Sequence, residues 1–135
     1  MQVNKISNTN NSFGRLYLSS EIEEKLSNGA SKRFKKEIAD ITNIIRQNNL
    51  HRKKYVDIIL SYDKYGFKGI ISSKLQGMPM NPDAFMSIKN PKKEIKEITN
   101  WVNCWNYAYS PKGIAEHDTL MAIIKNEIEK IYSKS

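Results

Sequence analysis

Two histidines, His51 and His117, are the side chains of this sequence whose ordinary titration falls near neutral pH. His117 stands between Glu116 and Asp118, so a carboxylate could orient its ring as the general base of a small hydrolase or nuclease. The same residue falls between Ile114 and Met121 on an otherwise apolar helical stripe, where a histidine hydrogen-bonded to backbone fits better. His51 opens the run His51-Arg52-Lys53-Lys54, which suits phosphate contact more than metal ligation. The two histidines have no metal-ligand spacing, and the single cysteine, Cys104, can form neither an internal disulfide nor a cysteine zinc site. Cys104 adjoins an apolar stripe with no basic neighbour in sequence and reads as a small inert hydrophobe. Glu116/Asp118 and Glu127/Glu129 stand two apart, a spacing that points helical side chains away from each other. Neither GxxxxGK[ST] nor GxGxxG occurs. No metal and no cofactor are expected, and a non-enzymatic binding module is expected rather than a catalyst.

The chemistry of binding is more concentrated. The 135 residues carry a net charge of +8, and residues 31–54 alone hold eight basic side chains against Glu37 and Asp40. Lys32, Lys35, Lys36, Arg52, Lys53 and Lys54 are therefore the candidate nucleic-acid-binding residues. A ridge of such cations gains affinity by releasing the counterions condensed on phosphates, and RNA or the ribosome is the expected partner. The competing reading is a solvated helix face followed by a lysine-protected strand start. Lys (18) far outnumbers Arg (4), and with 18 Ile and 14 Asn this is the bias of an adenine- and thymine-rich coding sequence. Lys also lacks the planar fork with which Arg reads phosphate.

Aromatic residues supply a second candidate surface. In Trp101-Val102-Asn103-Cys104-Trp105-Asn106-Tyr107-Ala108-Tyr109, Trp105 and Tyr109 lie on an apolar stripe and belong to a core. Trp101 and Tyr107 fall off it, which suits a contact surface in a protein-interaction or effector-type module. At Tyr62-Asp63-Lys64-Tyr65-Gly66-Phe67, Tyr62 and Phe67 are expected inside, leaving Tyr65 as an exposed platform beside Lys64.

The elements that must position these groups are legible in the patterning. Leu, Ile, Val and Phe make 32 of the 135 residues, enough to support one core. Residues 1–12 are expected to be a flexible polar N-terminus and 13–135 a single α+β domain. Alternation over 13–18 predicts a strand; Ser19 or Ser20 then starts a short helix that stops at Asn28-Gly29. Ser31 caps a helix over 31–48 whose Phe34, Ile38, Ile41 and Ile45 share one face. Strands at 55–62 and 67–75 form a hairpin around Gly66, a loop follows at 76–83, and a third strand of the series falls at 84–88. Asn90-Pro91 caps a helix to about 109; Ser110-Pro111 starts a last one through 132, expected to pack on its predecessor or on the sheet. The fold class is thus α+β: a small antiparallel sheet of three to four strands packed by helices, in the order β-α-β-β-β-α plus a C-terminal helix. No apolar run approaches the roughly 18–20 residues that cross a bilayer, so no membrane insertion is expected. The first residues lack the apolar core of a secretory signal, which makes a cytoplasmic location the default.

Over residues 13–109 this element order resembles that of ribosome-hibernation factors, and its αβββα portion that of double-stranded-RNA-binding domains. In the latter family a lysine pair opening the last helix contacts phosphate, and Asn90-Pro91-Lys92-Lys93 stands at a similar place. Glu94 and Glu97 follow at once, and a helix with two tryptophans departs from that family's small-residue pattern. Element order alone does not transfer a function.

Overall fold

A computed structural model describes residues 15–74 and 84–133; the polar N-terminus expected over 1–12 and the loop expected over 76–83 lie outside the described residues. The elements run β1 (Leu16–Leu18), α1 (Ser20–Ser27), α2 (Lys32–Gln47), a 3-10 turn (Leu50–Arg52), β2 (Val56–Asp63), β3 (Gly66–Ser73), β4 (Phe85–Ser87), α3 (Pro91–Ala108) and α4 (Pro111–Ser133). This is the α+β order that the patterning predicts. The sheet has four strands in the spatial order β1-β2-β3-β4. The expectation of an antiparallel sheet needs one correction: β1 runs parallel to β2, Leu16 beside Ile58 and Leu18 beside Leu60. Two helices separate these strands, so the chain crosses over the sheet and re-enters in the same direction, as a parallel neighbour requires. The pairs β2–β3 and β3–β4 are antiparallel.

Period-2 alternation gives the sheet an inner and an outer face. Val56, Ile58 and Leu60 of β2 and Phe67 and Ile71 of β3 point inward and are buried. They join Ile22 of α1, Phe34, Ile38, Ile41 and Ile45 of α2, Ile98 and Val102 of α3, and Tyr109 just past its end in one hydrophobic core. Ser19 and Ser31 cap α1 and α2 by accepting hydrogen bonds from the Ile22 and Phe34 amides. Gly66 closes the β2–β3 turn at φ 109°, a conformation that costs a glycine little. The α3 cap differs from expectation. The Asn90 side chain makes no capping bond; instead the Glu94 carboxylate accepts from the Lys89 and Asn90 amides at 2.8 and 2.7 Å.

The last helix is the main departure. Ser110 caps it as expected, its hydroxyl accepting from the Gly113 amide, and Gly113 is buried against the end of α3. Ile114 is half-buried, but every residue from 115 to 133 is exposed. The expected packing of α4 on α3 or the sheet is thus confined to its first turn.

Candidate nucleic-acid interface

The six predicted cations fall into two groups. Lys32, Lys35 and Lys36 are exposed on the first turns of α2, whereas Arg52, Lys53 and Lys54 follow the 3-10 turn beyond its other end. The rest of α2, from Lys36 to Gln47, lies between them, and at 1.5 Å per residue it rises about 17 Å.

The first group shares its end of the molecule with acids. Lys36 Nζ lies 3.3 Å from Asp40 Oδ2, and Arg33 Nε 3.9 Å from Glu37 Oε1. An open cleft of about 1050 Å³ sits here, rimmed by Glu21, Glu24 and Glu37 and by Lys25, Arg33 and Lys89. Its floor is an aromatic cluster in which the Tyr62 ring is 5.0 Å from Phe34 and 4.7 Å from Phe67, with Lys25 Nζ 5.5 Å from the Phe34 centroid. Phe67 is buried and Tyr62 half-buried, as expected, and Tyr65 is exposed at the hairpin tip with Lys64 Nζ 5.1 Å from its ring. Three carboxylates against three cations give this cleft no strong field of either sign.

The second group is different in kind. Residues 41–56 contain Arg46, His51, Arg52, Lys53 and Lys54 and no acid. Asn49, left-handed at φ 56°, turns the chain after α2, and buried Leu50 pins the turn to the core. The Tyr55 amide donates to the Asn106 side chain of α3 at 2.9 Å, and the Lys74 amide to the Tyr55 carbonyl at 3.0 Å. These bonds draw the end of β3, and with it Lys74, to the same end of the molecule. Lys54 Nζ lies 5.6 Å from the Tyr55 ring. His51 is half-buried with a buried Nδ1 that has no hydrogen-bond partner. Burial, then Arg46 and Arg52, push its pKa below the ordinary imidazole value. Arg46 and Lys74 are missing from the predicted set. Arg46 lies inside the basic segment and was legible there, whereas only strand pairing reveals Lys74.

The outer face of the sheet adjoins this end. Tyr17 of β1 pairs with Ile59, Ile59 with Ile70, and Ile70 with Phe85 of β4, one apolar rung across all four strands. Its aromatic ends are open, Tyr17 at 47% exposure and Phe85 at 52%. Toward the basic end the rung is flanked by Asp57, whose carboxylate accepts from the Arg15 amide at 2.8 Å and feels the charges of Lys74 and Arg15. Burial nonetheless raises the Asp57 pKa. On the other flank Lys68 Nζ bridges Asp63 at 3.0 Å and lies 5.5 Å from the Phe85 ring.

The remaining candidates stand apart. Trp101 is half-buried, its ring resting where a Cβ on Gly69 would meet it at 3.2 Å, so of the expected pair only Tyr107 is fully open to solvent. Helix α3 lies directly on the sheet, and the glycine leaves room for the indole. Tyr107 is exposed, and the hydrogen-bonded Glu116 carboxylate raises its pKa. His117 is exposed on α4 rather than set in a cleft. Cys104 is free and exposed, one position off the apolar stripe of α3. Among the described residues no group of three or more His, Cys, Asp or Glu is placed to hold a metal ion, and no helix is long and apolar enough to cross a membrane. No family model, curated protein or solved structure shows a significant match to the chain, so the resemblances noted above remain ones of element order.

Proposed function

We propose that this chain is a non-enzymatic cytoplasmic module that binds single-stranded RNA, free or exposed on the ribosome. Phosphates lie on the basic end around Arg46, Arg52, Lys53 and Lys54, and bases on the outer sheet face at Tyr17 and Phe85. The observation that carries this reading is the basic segment, acid-free over residues 41–56, at one end of the sheet whose open outer face bears the aromatic-edged rung. Residues 41–56 hold no acid of their own, and cations clustered in this way gain affinity by displacing counterions from a phosphate backbone. Exposed aromatic rings stack on unpaired bases whatever their sequence, at about 1–3 kcal/mol per base. Lys32, Lys35 and Lys36 extend the attraction at long range, but acids on the same helix reduce their share. A protein-contact role for Trp101 and Tyr107 has less support, since the indole is packed on the sheet. A hydrolase built on His117 lacks a cleft at that residue.

The test is fluorescence anisotropy of a labelled 20-nucleotide single-stranded RNA between about 50 and 300 mM salt. The triple variant Arg52→Ala, Lys53→Ala, Lys54→Ala is expected to reduce the slope of log K against log salt by about 2, from roughly 0.7 per contact. Tyr17→Ala with Phe85→Ala is expected to weaken binding at least about fivefold with the slope unchanged. A wild-type affinity that hardly moves with salt overturns the proposal.

A further inference from the structure

Most of the exposed large hydrophobic side chains among the described residues lie on the outer run of α4. Ile114, His117, Met121, Ile124, Ile128 and Ile131 recur at spacings of three and four, the a and d positions of a heptad pattern. Beyond Ile114 all of them are exposed, Ile131 to 67%. A stripe of this length left in water marks a contact surface. Its flanks indicate the partner. Over 111–133 the helix carries three lysines against four carboxylates, so neither RNA nor an anionic lipid surface, which selects a cationic polar face, is attracted to it.

The stripe is complementary to itself. In an antiparallel pair a positions meet d positions, so Met121 packs on Ile124 of a second copy, His117 on its Ile128 and Ile114 on its Ile131, each layer repeated by the two-fold axis. In that register Asp118 comes beside Lys125 of the second copy, twice by symmetry. A shift of one heptad in either direction sets Lys125 against Lys125 or Asp118 against Asp118, and a parallel pair matches neither charge. We propose that α4 is a dimerisation arm, through which two copies of this chain pair antiparallel about an axis between Ala122 and Ile123. The contact is one helix wide, below the roughly 1,200 Å² of a standard interface, so a weak and reversible pair is expected. This inference is independent of the RNA reading.

The test is sedimentation equilibrium of the full chain from about 1 to 500 μM, where a reversible monomer–dimer equilibrium is expected. Ile124→Asp is expected to leave only monomer with an unchanged far-UV circular dichroism spectrum, because the side chain is solvent-facing in the monomer. Lys125→Asp is expected to weaken the dimer about tenfold, and adding Asp118→Lys to restore it. Three results would each overturn the proposal: a wild-type chain monomeric across the range, a dimer that survives Ile124→Asp, or a charge swap that restores nothing.

Discussion

At the residue scale the basic end turns on His51. Its neutral form is favoured in the fold by burial and by Arg46 and Arg52, so its folded pKa lies below the unfolded value of about 6.5. Between those two values the unfolded chain binds more protons, so folding stability is greatest above about 6.5 and is lost as pH falls through the lowered folded pKa. His51→Gln is expected to flatten that part of the profile, read as urea midpoints at pH 7.5 and 5.5; an unchanged acid-side slope would refute the assignment. RNA binding should show the opposite trend, because a phosphate beside the ring favours the imidazolium. Asp57 titrates with a different sign, since burial raises its pKa and stability therefore falls as pH rises from about 3.8 through the raised value. The sequence places His51 in a basic run, but the burial of Nδ1 comes from the packing of the 3-10 turn, which no local pattern announces.

At the element scale, Gly113 at the junction of α3 and α4 is the most tightly enclosed of the described glycines. A Cβ at Gly113 would collide with the Tyr107 carbonyl, so Gly113→Ala must either break the Ser110 cap or push the two helices apart. A destabilisation of about 1–3 kcal/mol is expected from such overpacking, measured as a fall in urea midpoint without loss of helical signal. A variant as stable as the wild type would mean that α4 is not held at this turn. Most elements were readable because each carries its own start and stop: Ser19 and Ser31 as caps, Gly66 in the hairpin, Ser110 before Pro111. The parallel sense of β1 was not, since a three-residue strand pairs in either direction according to where the intervening helices lie. The α3 start is fixed instead from inside the helix, where the Glu94 carboxylate reaches back to accept from the Lys89 and Asn90 amides, a contact set by the helix geometry rather than by the Asn90 side chain.

At the scale of the whole molecule the two proposed surfaces lie on different parts of the chain, the RNA face on the sheet and basic end, the dimer contact on α4. A dimer would present two RNA faces on one rigid pair of helices, so a long RNA should bind more tightly than a short one through effective concentration. Ile124→Asp is expected to abolish that length advantage while leaving the affinity for a one-site oligonucleotide within about twofold. Equal loss for both lengths would show instead that α4 touches RNA directly. What the sequence by itself determined was the menu of elements and the inner face of each, because helix and strand periods and end-capping residues act over a few positions. The helix period already sets Lys36 beside Asp40, and Arg46 stands in the basic segment of the sequence. Tertiary structure alone brought Lys74 to Arg52–Lys54, because strand pairing joins residues distant in the chain. It also decided that the apolar stripe of α4 stays uncovered, since the buried first turn directs the rest of the helix away from a core already closed by α1, α2 and α3.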